Sequence, residues 1–160
     1  MSVGEELREL VARVPRGVAV VTVDTGGQRL GLTVSSLVAL SLEPPLVGFA
    51  VSRQAALHEL LREAGGCAIS LLAAGQDRLA QHFARGVPPI AMWQGVATLD
   101  DTRGGTGAPR LAGALGWLDC RLRDELPAGT HTFFSCAVER AELGEDAPAL
   151  VRVRGAYRSA

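Results

Sequence analysis

Residues 18–34 read VAVVTVDTGGQRLGLTV, and the pattern of this stretch indicates β structure. The run Val18–Val23 is rich in β-branched residues and is typical of a buried strand. It ends at Asp24–Gly27, whose composition favours a hairpin turn, and a second strand is predicted over Arg29–Val34. The sequence therefore predicts an antiparallel hairpin near the start of the fold.

Strand and helix signals continue on both sides of this hairpin. Ahead of it, Leu7, Leu10, Val11 and Val14 have the spacing of one helix face, and Pro15 ends that pattern. The fold class predicted from about seven strands and three short helices is mainly β (α+β), a Greek-key barrel with helical decoration. The further predicted elements are strands at Ser36–Leu42, Leu46–Val51, Cys67–Leu72, Leu115–Arg123, Thr130–Ala141 and Leu150–Val153, helices at Leu57–Ala64 and Asp77–Ala84, turns at Leu126–Gly129 and Gly144–Pro148, and an irregular excursion over Arg85–Pro109.

Composition limits the classes of protein that this chain can belong to. With 160 residues, 48% hydrophobic and 21% charged, it is expected to form one domain over residues 1–160. A formal charge of −1 with scattered arginines argues against nucleic acid as a partner. No apolar run approaches the roughly 18 residues that cross a bilayer, and Met1–Glu6 is acidic, so we expect a soluble cytoplasmic protein without a membrane partner.

The cysteines and two of the histidines do not indicate a metal or disulfide site. Cys67, Cys120 and Cys136 lie far apart within apolar stretches, which predicts buried free thiols. His58 is expected on the polar side of its helix, and His82 near the end of the next helix. No cluster has metal-ligand spacing, so no metal is expected.

Hydroxyl groups are concentrated in Gly31–Ser36, where two predicted strands meet. Thr33, Ser35 and Ser36 can donate hydrogen bonds to a phosphate or a carbonyl without adding charge. The alternative interpretation is that these side chains pair with local backbone at a strand end, which is their commonest role. The residues alone leave both interpretations open.

A second candidate region follows the strand Leu46–Val51. Ser52 and Arg53 come just before a predicted helix, where free backbone N–H groups and a guanidinium can bind an anion. Equally, Ser52 can serve only the helix start while Arg53 is a solvated charge.

His131 enters a predicted strand from a Gly–Thr turn, where an imidazole can contact a cofactor or a dihydronicotinamide, although a structural role is also open. Neither GxGxxG nor GxxxxGK[ST] is present, so a nucleotide would have to be bound by some other device.

Taken together, Gly31–Ser36 and Ser41–Val47 resemble the signature of the flavin reductase-like family of FMN-binding split barrels. The likeness continues through Gln76–Ala84, Pro109–Leu111, Leu118–Cys120 and Gly129–His131, and it covers about residues 12–158. This chain departs from the pattern at three positions, with Ser70 where the family often has Asn, Thr130 where it has Asp, and Ser135 where it has Gly.

The resemblance implies a homodimer that binds FMN or FAD near the subunit interface and reduces it with NADH or NADPH, often for a separate monooxygenase. It also implies that His131 is a catalytic residue on the nicotinamide side. The flavin-binding residues that it implies are Thr33, Val34, Ser35, Ser36, Ser52 and Arg53, with Ser70, Phe83 and Tyr157 as weaker candidates. Two alternatives stay open: an enzyme with tightly bound flavin that acts on an organic substrate, and a flavin or haem carrier without turnover.

Overall fold

The computed structural model describes residues 1–99 and 105–160. Within these ranges the chain forms four helices and ten strands. The helices are α1 (Val3–Ala12), α2 (Ala56–Ala64), α3 (Asp77–Ala84) and α4 (Pro89–Met92). The strands are β1 (Arg16–Gly17), β2 (Ala19–Thr25), β3 (Gln28–Val34), β4 (Val38–Leu42), β5 (Pro45–Ser52), β6 (Gly66–Leu71), β7 (Gly116–Ala128), β8 (His131–Leu143), β9 (Leu150–Val153) and β10 (Ala156–Ser159).

Seven of the strands form one antiparallel sheet in the order β3-β2-β6-β7-β8-β5-β4. The β7–β8 hairpin lies between β5 and β6, which are consecutive strands in the chain, so the topology is not a simple meander. The remaining strands form a small sheet in the order β1-β9-β10. The prediction of a mainly β fold with few short helices is confirmed.

The predicted hairpin at residues 18–34 is present with the expected turn. Thr25 pairs with Gln28, so Gly26 and Gly27 alone make the connection. Their φ angles are 63° and 96°, in the left-handed region that a side chain disfavours. The glycines at these two positions therefore fix the register between β2 and β3.

The hydrophobic core lies inside the curved sheet, and two helices cover it. α2 packs against β2, β3 and β6, while α3 packs against β3 and β2. Because β2 is buried along most of its length, its side chains contribute to the core on both faces. The largest fully buried hydrophobic side chains are those of Phe49, Phe83, Phe134, Leu61, Ile69, Leu72 and Leu111.

Some predicted boundaries were wrong. β7 continues to Ala128, through the turn predicted at Leu126–Gly129, because Pro127 and Ala128 still pair with β8. The turn is only Gly129–Thr130. The strand predicted from Ser36 begins at Val38. The short elements β1, β10 and α4 were not predicted, since two to four residues are too few to show a periodic pattern.

His58 was assigned to the polar side of its helix, and that prediction was wrong. The side chain is buried, with Nε2 2.8 Å from the Thr132 hydroxyl oxygen and Nδ1 2.9 Å from a carboxylate oxygen of Glu59. Its ring also lies 5.4 Å from that of Phe134. Because α2 packs against several strands, its buried arc is wider than the apolar stripe, and paired polar atoms make the burial of His58 tolerable.

The prediction of buried free thiols is confirmed for Cys67, Cys120 and Cys136. Hydrogen bonds with the Cys120 and Cys136 thiols, together with complete burial, raise the pKa of Cys67 well above its ordinary value. Such a thiol is a poor nucleophile. Among the described residues, no helix has the length and apolar character that crossing a membrane requires.

Candidate functional site

A cavity of about 440 Å³ opens between β3, the start of α2 and the segment that joins α3 to α4. This volume lies in the range of ligand sites in proteins. The residues that line it are Leu30, Gly31, Leu32, Gln54, Ala55, Ala56, Leu57, Phe83, Ala84, Arg85, Gly86, Val87, Pro88, Pro89 and Met92. Most of them are apolar, so the cavity suits a ligand with a large nonpolar body.

One wall of the cavity depends on the contact between Gly31 and the ring of Phe83. A Cβ atom at position 31 would lie 2.7 Å from two carbons of that ring, so only glycine leaves room for it. The Phe83 ring also packs against Trp93, with centroids 5.3 Å apart. The Gly31 N–H donates to the sulfur of Met92 at 3.3 Å. These contacts hold an aromatic residue at the cavity surface in a fixed position.

The start of α2 supplies unpaired donors to the same cavity. The first N–H groups of a helix have no acceptor within the helix, and the N-cap residue Ala55 provides no side-chain cap. Ala56 and Leu57, the first two helical residues, line the cavity. The positive end of the helix dipole therefore lies beside an apolar space, an arrangement that favours an anionic group. The exposed Arg85 adds positive charge to the same lining.

The predicted hydroxyl segment directly follows the lining residues Gly31 and Leu32 in the chain, but Thr33–Ser36 do not line the cavity themselves, and their side chains have different roles. Thr33 donates to the Ala80 carbonyl of α3 at 2.6 Å, and Val34 is buried. The Ser36 hydroxyl oxygen accepts from the Ala50 N–H at 2.9 Å and thereby ties the end of β3 to β5. Ser35 is only half-buried, and its hydroxyl forms no hydrogen bond with any described residue. Of the three hydroxyls, that of Ser35 is the one available to a ligand.

This difference predicts opposite effects for two neighbouring alanine variants. Ser36→Ala should lower the free energy of unfolding by about 1 kcal/mol, because it removes the partner of the Ala50 N–H. Ser35→Ala should leave stability unchanged and weaken binding of a ligand that bonds to this hydroxyl by about threefold to tenfold. Chemical denaturation and a ligand titration of both variants would check this, and the reverse pattern would exclude the assignment.

The second candidate region is a corner where the last residue of β5 lies opposite the first residue of β8. Ser52 pairs with His131 across these strands, and the Arg53 N–H donates to the Thr130 carbonyl at 3.0 Å. The Ser52 hydroxyl accepts from the Gln54 N–H at 3.3 Å. The N–H groups of residues 53 and 54 are thus already bonded. The free donors expected near Arg53 lie further along, at the start of α2.

His131 and Arg53 remain exposed at this corner. The His131 Nδ1 lies 2.9 Å from the Thr130 hydroxyl oxygen, which orients the ring. Arg53 forms no ion pair with a described residue. Neither residue lines the cavity of the single chain, although the loop from Ser52 leads directly into the start of α2.

The three weaker candidates fall in different places. Phe83 lines the cavity, as described above. Ser70 is fully buried in β6, and its hydroxyl oxygen accepts from the Leu111 N–H at 3.0 Å, so it holds the chain after residue 105 against the sheet. Tyr157 belongs to the small sheet, where its ring packs under the guanidinium of Arg152. Only Phe83 of the three contributes to the cavity.

Several lining residues were not predicted as site residues. Among them are Gln54, Ala55, Ala56, Leu57, Arg85 and Met92. Gln54–Leu57 shows one local feature that could have indicated a site: the helix begins there without Ser, Thr, Asp or Asn at the cap position. No local pattern marks Arg85 or Met92, since both reach the cavity only through the packing of α3 and α4.

The fold and the cavity together define a small, mainly β protein whose mostly apolar cavity borders the uncapped start of α2. The model of the flavin reductase like domain family matches residues 11–160. The chain therefore belongs to the flavin reductase-like family, and the resemblance seen in its sequence is confirmed.

Individual relatives agree with this assignment. The chain is 39% identical over 155 residues to the reductase component of 4-hydroxyphenylacetate 3-monooxygenase from Thermus thermophilus, covering 96% of this chain and 95% of that protein. It is 38% identical to an NADH-dependent FAD reductase from Streptomyces globisporus, covering 81% of this chain and 70% of that protein.

Solved structures agree as well. The flavin reductase component of a bacterial two-component tryptophan halogenase superposes with a TM-score of 0.86 and 33% identity, over 98% of this chain and 97% of that one. The NADH:FAD oxidoreductase of Streptomyces globisporus, in complex with NAD and FAD fragments, superposes with a TM-score of 0.90 and 31% identity, over 98% and 92% of the two chains. The fold is that of these flavin reductases.

Proposed function

We propose that this protein is an NADH-dependent flavin reductase that reduces FMN or FAD and supplies the reduced flavin to a separate monooxygenase. The observation that carries the proposal is the cavity itself, in which an apolar wall built on Phe83 and Gly31 lies beside the uncapped start of α2. A flavin has the two matching parts, a planar ring system and a phosphate. Membership of the flavin reductase-like family supports the same function.

The residues of the cavity have separate roles in this function. Phe83, Leu32 and Met92 provide nonpolar surface for the ring system and exclude water from it. The N–H groups of Ala56 and Leu57, with Arg85, bind the phosphate. The Ser35 hydroxyl donates to the edge of the ring, while Thr33 and Ser36 hold the segment in place through Ala80 and Ala50.

When bound, the flavin supplies the acceptor for the hydride of a dihydronicotinamide. The protein contributes orientation, because Phe83 is held on both sides and cannot follow a displaced ligand. His131 lies at the corner that leads into α2, with its ring oriented by Thr130, and it contacts the nicotinamide side. Ser52 and Arg53 complete this corner.

The first test is a measurement of NADH oxidation by the purified protein with added FMN or FAD. Rapid oxidation that depends on added flavin is expected for a reductase with a diffusible flavin. A flavin that stays bound through purification, together with turnover of an organic substrate, would instead indicate a prosthetic group. A bound flavin or haem without NADH oxidation would indicate a carrier, and failure to bind flavin would exclude the proposal.

The role of His131 predicts a selective effect of its removal. His131→Ala should lower NADH-dependent turnover about tenfold or more while the flavin dissociation constant changes less than twofold, because the side chain lies outside the flavin cavity. Steady-state kinetics and a flavin titration of the same preparation would check this. Equal losses in both measurements would assign a structural role to His131, and His58→Ala provides a control for a histidine with such a role.

We also infer that the protein is a homodimer of one domain spanning residues 1–160. Two apolar surfaces support a second copy as partner. α1 has no buried residue although it carries Leu7, Leu10 and Val11. The edge strand β4 leaves Val38 and Leu40 nearly half exposed. Sedimentation equilibrium should therefore give twice the mass of the chain, and a monomer at micromolar concentration would contradict the inference.

A further inference from the structure

Two arginines lie directly opposite each other in the small sheet. Arg16 of β1 pairs with Arg152 of β9, and Arg152 pairs in turn with Tyr157 of β10. Residues that are opposite in an antiparallel sheet point to the same face, with Cβ atoms about 5 Å apart. Two guanidiniums and a phenol therefore share one face of this sheet.

Nothing in the described part of the chain neutralises this pair of charges. Arg16 and Arg152 form no ion pair with any described carboxylate. The nearest acidic residues along the chain, Glu9, Glu145 and Asp146, do not pair with them either. Like charges directly opposite in a sheet destabilise the strand pairing, so this arrangement is unfavourable without an additional group.

One guanidinium nitrogen of this pair is a buried donor. The Nε of Arg16 is buried and has no hydrogen-bond partner. A buried charged donor without a partner is costly, so an acceptor group that bonds to the Arg16 guanidinium would stabilise this arrangement. The Arg152 guanidinium is held 4.9 Å above the Tyr157 ring, which orients it on the same face. The Tyr157 hydroxyl has no hydrogen bond with a described residue.

We infer that Arg16, Arg152 and Tyr157 form a binding site for a phosphate group. A phosphate dianion balances both guanidiniums and offers enough oxygens to accept from each fork and from the phenol, whereas one carboxylate leaves a net positive charge. None of the three residues lines the flavin cavity, so this site is separate from the one proposed for the flavin. The nearby Arg154, which is exposed on the β9–β10 turn, increases the positive potential around it.

The chain offers a matched control on the other face of the same sheet. Arg158 follows Tyr157 in β10 and pairs with Val151, so its side chain lies on the opposite face of the sheet from Tyr157. It is also exposed. Removing its charge alters the net charge as much as removing that of Arg16. It leaves the inferred phosphate contacts intact.

The test is a titration of the whole protein with inorganic phosphate at constant ionic strength, which is maintained with sodium chloride. Isothermal calorimetry measures binding, and the thermal unfolding midpoint measures the stabilisation that binding causes. The wild type and Arg158→Gln should show saturable binding and a rising midpoint. Arg16→Gln and Arg152→Gln should bind phosphate at least about tenfold more weakly. Arg16→Lys, which keeps the charge without the fork, should fall between them.

Protein stability measured in the absence of phosphate tests the inference independently of the binding measurement. Arg16→Gln should then be as stable as the wild type or more stable, because a like-charge pair has been removed. It should be less stable than the wild type once phosphate is saturating. Absence of saturable binding by the wild type, unchanged binding by both glutamine variants, or an equal loss in Arg158→Gln would each overturn the inference.

Competition identifies the source of the phosphate group. A KM for NADH that rises with phosphate in the wild type but not in Arg16→Gln assigns the site to a phosphate of the nucleotide. A KM that stays constant while phosphate binds assigns it to free phosphate. Either result is consistent with a phosphate site at Arg16 and Arg152. The calorimetric measurement of phosphate binding does not depend on the protein being a flavin reductase.

Discussion

Gly31→Ala should raise the KM for flavin about tenfold or more and lower the free energy of unfolding by about 1–3 kcal/mol. The added methyl group would lie 2.7 Å from two carbons of the Phe83 ring, far inside contact distance. Phe83 is 1% exposed, and Trp93 and His82 pack against its ring, so it has little room to yield except toward the cavity. The displaced ring would then occupy space that the ligand needs.

Gly86→Ala is the matched control for this variant. Gly86 also lines the cavity, but a Cβ there would meet nothing within 4 Å, and its φ is not in the left-handed region. Flavin KM and stability should both stay at the wild-type values. Steady-state kinetics and urea denaturation would measure them. If the two alanine variants behaved alike, the packing of Phe83 against Gly31 would not define the flavin site.

Ala56→Glu should weaken flavin binding about tenfold or more without any loss of stability. Position 56 is the first residue of α2, exposed and on the cavity lining. A carboxylate there interacts favourably with the helix dipole, by about 0.3–1 kcal/mol, and repels a phosphate bound at the same N–H groups. The unfolding midpoint should therefore stay constant or rise while affinity for FMN falls.

Ala56→Gln separates charge from size in this experiment. Glutamine has nearly the same volume as glutamate, so it should reduce FMN affinity much less. Because the repulsion is screened by salt, the difference between the two variants should also shrink as ionic strength increases. Fluorescence titrations of FMN at low and high salt would provide both comparisons. Equal losses in the two variants would mean that the start of α2 does not bind the phosphate.

Gly31→Ala alters the cavity wall proposed for the ring system, whereas Ala56→Glu alters the end proposed for the phosphate. Flavin affinities of both variants together would therefore locate the ligand. A flavin that lost affinity only in Gly31→Ala would bind with its phosphate elsewhere. The phosphate site inferred at Arg16 and Arg152 could then be tested as that location by adding FMN to the calorimetric titration.

The candidate site was only partly predictable. Phe83, named because of the likeness to a family, lines the cavity, whereas the role of Thr33–Ser36, which follow the lining residues Gly31 and Leu32, stays a prediction. Ser36 and Ser35 could not be told apart, since the Ala50 N–H that occupies Ser36 comes from another strand. Ser70 was a reasonable candidate by resemblance, but the structure uses its hydroxyl for the Leu111 N–H.

The class of fold, the β2–β3 hairpin and the family could all be predicted from local sequence. β-branched periodicity, Gly26–Gly27 and the order of the motifs are local properties that each segment carries alone. Which residues share a cavity and which charges face each other depends instead on the packing of distant segments. Arg85 and Ala56 line the same cavity, and Arg16 pairs with Arg152, because helix packing and strand register bring together residues that are distant along the chain. The burial of His58 has the same origin, since the width of a buried helix face depends on the number of strands packed against it.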